Sequence, residues 1–121
     1  MTDPLTNAEM AALEVTLSAC ADAARTIRYA DLANALNLTP RHRIHRLTLA
    51  LETLIRRDHA AGQPLLAALA VGKSGLPGPG FFQLLAELGR YSGPDSGPAA
   101  AMQHAAECQE AIAYWSNKIG Q

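Results

Sequence analysis

Nine residues in the middle of the chain, Gly72 to Gly80, include four glycines and two prolines. Glycine loses the most backbone freedom on ordering and proline has no amide to donate. This stretch is therefore a turn or loop, and any regular element must end on either side of it. A second break of Ser, Gly, Pro and Asp reads as a linker over 92–98. Only short elements fit around these breaks, and 121 residues suit one domain, 1–121, with one core. Hydrophobic residues make up 49% and aromatics 5%, so the core is one of Leu, Ala and Ile and the chain is not a disordered polymer.

Thr6, Asn7, Ala8 and Glu9 form a T-x-x-E capping box, after which Met10, Leu13, Leu17, Cys20 and Ala24 recur at helical spacing. A first helix is predicted over 7–24. Ile27 to Tyr29 form a short extended link. Leu32, Ala33 and Leu36 then mark a brief second helix closing near Asn37, which tolerates the left-handed cap. Thr39 followed by Pro40 predicts the start of a long third helix, because Thr caps free amides and Pro has none to leave unpaired. Ile44, Leu47, Leu51, Leu54 and Ile55 keep one face apolar up to Gly62, a natural terminator. The join, Asn37 to Thr39, then has the length of a helix-turn-helix.

Pro64 to Val71 reads as a strand leading into a wing made by the Gly72–Gly80 loop. Phe81, Leu84, Leu85 and Leu88 form a short helix ended by Gly89, and Pro98 opens a last helix over 98–119. In that helix Met102, Ala105, Cys108, Ile112, Trp115 and Ile119 lie three and four apart, a stripe that packs on the domain or on a second copy. The expected fold is mainly α: a winged helix-turn-helix core over 27–82 with a small β-hairpin, flanked by N- and C-terminal helices.

No apolar run approaches the ~18 residues of a membrane span, and no basic stretch precedes an apolar one at the start. A cytoplasmic protein with no membrane contact is expected. Cys20 and Cys108 fall on apolar helix stripes without a neighbouring basic group and read as two free core thiols. Net charge is −1, so the whole-molecule field favours neither nucleic acid nor an acidic surface. The distribution is uneven: seven of the ten Lys and Arg residues lie within 25–57, against only Asp31 and Glu52.

The densest part of that segment is Arg41, His42, Arg43, His45 and Arg46, in the first turns of the predicted third helix. Cations there oppose the helix dipole, at a few tenths of a kcal/mol each, unless an anion offsets them. Free amides, the dipole and three guanidinium groups together favour a phosphate, and in a helix-turn-helix this end of the helix faces the major groove. The competing reading has these side chains splay into water or pair with acids of the first or last helix. Lys73, at the tip of the wing, is free to touch a phosphate. Tyr29 either faces a ligand or packs under the second helix.

Other motifs are incomplete. Gly72-Lys73-Ser74 resembles part of a Walker phosphate loop, but Ala67 stands where its first Gly belongs, and Pro77 and Pro79 forbid the helix that must follow. His42 and His45 have no Cys, Asp or Glu close in sequence to complete a tetrahedral set, so no metal is expected. No G-x-S-x-G, H-E-x-x-H or D-x-D pattern occurs, and neither a cofactor nor an enzymatic activity is expected.

The order of features carries a resemblance. Ile27 to Ala33 resembles the "V-x-Y-G-x-L-A" stretch that opens the helix-turn-helix of alkylguanine-DNA alkyltransferases and of the catalytically dead alkyltransferase-like proteins. Arg46 to Leu51 is similar to their "R-x-V-G-x-A" recognition helix, and Pro64 to Leu66 with Val71 to Gly78 is similar to the strand and Gly-rich wing that follow. The match covers about residues 25 to 82. The chain also resembles small bacterial proteins of unassigned role with a "TYGELA", "PLLTALVV" and "PGxGFF" pattern. The alkyltransferases' Pro-Cys-His-Arg, source of the acceptor thiolate, is replaced by Leu66, Ala67, Ala68 and Leu69, which excludes repair chemistry. The family's glycine after the Arg is replaced by bulkier residues, Thr48 and Leu49, which are expected to close the approach to a flipped base. The resemblance implies that Tyr29 takes the place of the family's phosphate- and base-rotating tyrosine. It also implies that Arg43 or Arg46 takes that of the arginine filling the vacated stack.

Two functions follow as expectations. The first is non-catalytic binding of double-stranded DNA through Tyr29, Arg41, Arg43, Arg46 and Lys73. The alternative is a protein-interaction or regulatory module whose basic helix meets an acidic partner. In either case the stripe on the last helix predicts a homodimer.

Overall fold

A computed structural model of the protein describes residues 4–116. In chain order the elements are α1 (Asn7–Asp22), β1 (Ile27–Arg28), α2 (Tyr29–Ala35), α3 (Arg43–Ala60), a 3-10 turn (Leu66–Leu69), β2 (Ala70–Val71), α4 (Pro79–Glu87) and α5 (Gly97–Trp115). The molecule is mainly helical. Its two short strands run parallel, with Ile27 opposite Ala70 and Arg28 opposite Val71.

The first helix starts where its capping box places it. Thr6 Oγ1 accepts from the Glu9 amide at 3.1 Å and Glu9 Oε1 accepts from the Thr6 amide at 2.9 Å. The first four helices then end alike. Ala24, Asn37, Gly62 and Gly89 turn left-handed, with φ between 54° and 75°. The next amide reaches back to close each end: Arg25 to Cys20, Leu38 to Ala33, Gln63 to Asp58 and Arg90 to Leu85. Asn and Gly suit this conformation; Ala24 adopts it against its preference.

The third helix departs from the sequence expectation. It begins at Arg43, not after Thr39, and His42 before it is left-handed at φ 57°. A left-handed residue cannot continue a right-handed helix, so Pro40 and Arg41 belong to a turn. Leu36 and Leu38 are buried within the connection, which therefore spans more residues than the three expected.

The expected strand and hairpin are replaced by something more compact. Residues Leu65 to Val71 are all buried, between 0% and 3% exposed, and pack among α1, α3 and α5. Ala67, Ala68 and Ala70 are small enough to let helices approach on every side. No sheet neighbour can then serve the backbone beyond the short pairing with β1, and the segment curls into a 3-10 turn instead of extending. Side chains complete its bonding. Asp58 Oδ2 accepts from the Leu66 amide at 3.2 Å, His104 Nε2 lies 2.8 Å from the Ala68 carbonyl, and Trp115 Nε1 donates to the Pro64 carbonyl at 2.8 Å. After β2 the chain turns in a closed loop: the Gly72 amide meets the Leu76 carbonyl at 2.9 Å, with Gly75 at φ 88°. The two strands are thus the parallel ends of distant segments, and the loop joins β2 to α4.

In α5 the buried residues are Ala100, His104, Glu107, Cys108 and Ala111, which share Cys108 with the predicted stripe but replace its N-terminal members. Met102 stands 74% exposed and Ala105 is exposed, whereas Cys108, Ile112 and Trp115 pack inward. Ile119 lies outside the described residues. Glu107 is ion-paired to Arg90 at 2.7 Å, so polar residues occupy positions that apolar spacing alone does not count. Among the described residues of the predicted stripe, Met102 is the large apolar side chain left exposed. Among the described residues no helix is long and apolar enough to cross a membrane.

Candidate functional site

The five residues singled out by the sequence part company. Arg46 is not available to a ligand: its side chain is 13% exposed, and Nη2 lies 3.1 Å from Glu9 Oε1 and 3.3 Å from the Pro4 carbonyl. It ties α3 to the capping box of α1. Arg43 Nη1 donates to Asn34 Oδ1 at 2.6 Å, which anchors the first turn of α3 on α2. Arg41 and Lys73 are exposed.

Tyr29 is half-buried, packing against the core and against the Gly72–Gly78 loop. Its Oη accepts from the Gly78 amide at 2.9 Å, and a side chain at Gly72 would touch its ring at 3.7 Å. Burial raises its phenol above the ordinary value while the Gly78 bond pulls the other way, and the group is a neutral hydroxyl at physiological pH.

Three segments converge beside this ring. Arg28, Tyr29, Ala30 and Asp31 from the β1–α2 junction, Ile44 from the first turn of α3, and Lys73 from the loop line a groove of about 320 Å³. Arg28 and Asp31 also border a second concavity, which extends the surface to Arg25 and Gly75. The groove has an apolar floor, with Ile44 39% exposed, and Asp31 is its single acid.

The pairing of charges sorts the basic segment. Arg46, Arg56 and Arg57 are bound to carboxylates of Glu9, Glu87, and Glu14 with Asp58. Among the described residues Arg25, Arg28, Arg41 and Lys73 make no ion pair. Arg25 and Arg28 were not among the predicted site residues. The signal for them in the sequence is the density of bases over 25–57.

A Cys–His contact not foreseen from the sequence lies elsewhere, in the core. Cys108 Sγ is 3.1 Å from His104 Nε2. A carbonyl only accepts, so the 2.8 Å contact to Ala68 requires Nε2 to carry a proton, and it has no lone pair for the thiol. Cys108 itself donates to the same carbonyl at 3.4 Å. Burial, with Glu107 adding to it, pushes its pKa up to about 11, and burial lowers that of His104. An activated thiolate needs both shifts reversed. The pair serves the backbone of the buried segment, as does Asp58.

No protein-family model, curated protein or solved structure matches this chain.

Proposed function

We propose that the protein binds nucleic acid without catalysing a reaction, through phosphate contacts from Arg25, Arg28, Arg41 and Lys73. The observation that carries this reading is the separation of charges. Three arginines of the basic segment are neutralised by acids, while among the described residues Arg25, Arg28 and Lys73 make no ion pair and line two concavities that share Arg28 and Asp31. Unpaired cations clustered around a concavity focus a positive potential and attract a polyanion. In this reading the start of α3 and the 72–80 loop act as recognition helix and wing, as the resemblance to alkyltransferase-like proteins implies, in a cytoplasmic setting. Of the two arginines that the resemblance offers, Arg43 is then the side chain that enters the duplex, because Arg46 is bound to Glu9.

A second reading draws on the apolar floor. Exposed Ile44 beside Arg28 and Lys73 also fits an acidic amphipathic peptide. Fluorescence anisotropy of labelled duplex DNA, competed with an acidic peptide of equal charge, separates the two. The nucleic-acid reading expects duplex to bind at low salt and to outcompete the peptide; duplex that fails to bind while the peptide does favours the second.

A further inference from the structure

Tyr29 also borders a smaller cavity between α3 and the start of α4, of about 90 Å³. Leu51, Ile55, Ala67 and Phe81 supply apolar walls, and Thr48 and Glu52 sit with Tyr29 as its polar side chains. These side chains present acceptors. Thr48 gives its hydroxyl proton to the His45 carbonyl at 2.9 Å, which leaves its oxygen lone pairs. Tyr29 Oη uses one lone pair on the Gly78 amide and keeps another. Glu52 makes no hydrogen bond or ion pair among the described residues. Arg56, one turn along α3 and next to it on the adjoining surface, pairs with Glu87 instead.

We propose that this cavity binds a small aliphatic primary amine, its ammonium on Glu52 and its alkyl stem against Leu51, Ile55 and Phe81. Volume sets the size. A cavity of about 150 Å³ holds benzene, so one of this volume takes a chain of roughly three to five heavy atoms and no ring as large as a nucleobase. Charge sets the sign, because a half-buried carboxylate beside hydroxyl lone pairs is completed by a donor cation and repels an anion. None of Arg25, Arg28, Arg41 and Lys73 borders this cavity, so the assignment is independent of the nucleic-acid reading.

Gly80 stands at the mouth, where a side chain would come within 4.0 Å of the Glu52 carboxylate. The test titrates 1-butylamine, with butan-1-ol and butyrate as matched probes, into isotope-labelled protein and follows the amide shifts of residues 48–55 and 78–81. The amine should give saturable shifts there. Butanol and butyrate, and the amine on Glu52→Gln, should bind about tenfold more weakly or worse. Gly80→Leu should abolish the shifts by occupying the mouth. Butanol binding as well as the amine, Glu52→Gln binding it as the parent does, or no saturable shift in the parent protein overturns the assignment.

Discussion

The guanidinium of Arg46 and the carboxylate of Glu9 meet at 3.1 Å across 37 residues of chain, and that carboxylate is the one that closes the capping box on Thr6. One ion pair therefore joins the start of α3 to the start of α1. The Thr6 amide chiefly, and then Arg46, hold the Glu9 carboxyl below its ordinary pKa even though burial opposes them.

Arg46→Ala should lower stability in urea denaturation by about 1–2 kcal/mol, since a partly buried, charge-assisted pair and a carbonyl contact are lost together. It should leave the salt dependence of DNA binding unchanged. A changed salt slope with unaltered stability would return Arg46 to the interface.

Tyr29→Phe isolates one hydrogen bond. The ring still packs on the loop, but the Gly78 amide loses its acceptor, at a cost of about 1 kcal/mol. Hydrogen exchange at Gly78 should speed up accordingly, while Tyr29→Ala, which also removes the ring, should cost ~3 kcal/mol. Unaltered exchange at Gly78 in Tyr29→Phe would show that the bond is not made.

Ala24 occupies a left-handed helix end that Gly62 and Gly89 fill without strain. Ala24→Gly should raise stability by about 1 kcal/mol, because the left-handed penalty on a Cβ is removed and no packed side chain is lost. A lower melting temperature for the variant would contradict this account of how α1 ends.

Burial lowers the pKa of His104, with the Ala68 carbonyl and Glu107 pulling it back only in part. Its ordinary value is 6.5. Below that pH the unfolded chain binds a proton that the folded chain resists, so stability is fully present above 6.5 and is lost as pH falls through the depressed folded value. Melting temperature should drop on acidification below pH 6.5 before the carboxylates titrate. His104→Gln, whose amide still donates to Ala68 and does not titrate, should flatten that part of the curve. Equal acid sensitivity in both proteins would assign the loss to other groups.

Much of the helical frame was legible in local signals. Thr6 with Glu9, Asn37, Gly62 and Gly89 act within a few residues of themselves, and each sets a boundary where its chemistry predicts. Thr39–Pro40 misled because a turn uses the same pair as a helix start, and only the left-handed His42 distinguishes them. The buried 65–71 segment could not be read locally. Whether it extends or curls depends on Asp58, His104 and Trp115, which supply its hydrogen bonds from other helices. The candidate site was half legible for a similar reason. A basic run is visible in sequence, but which cations stay unpaired depends on Glu9, Glu14 and Glu87 arriving from elsewhere.

In the proposed complex Arg25, Arg28, Arg41 and Lys73 contact phosphates, and the salt dependence of duplex binding measures those contacts. Four contacts predict a log–log slope of about −3 to −4, from a counterion release near 0.9 per contact. Arg28→Ala or Lys73→Ala should each reduce the slope by about one and weaken all sequences alike, whereas Arg46→Ala should not change it. Absence of binding to duplex or single strands at low salt, or a slope indifferent to Arg28→Ala and Lys73→Ala, would contradict the account.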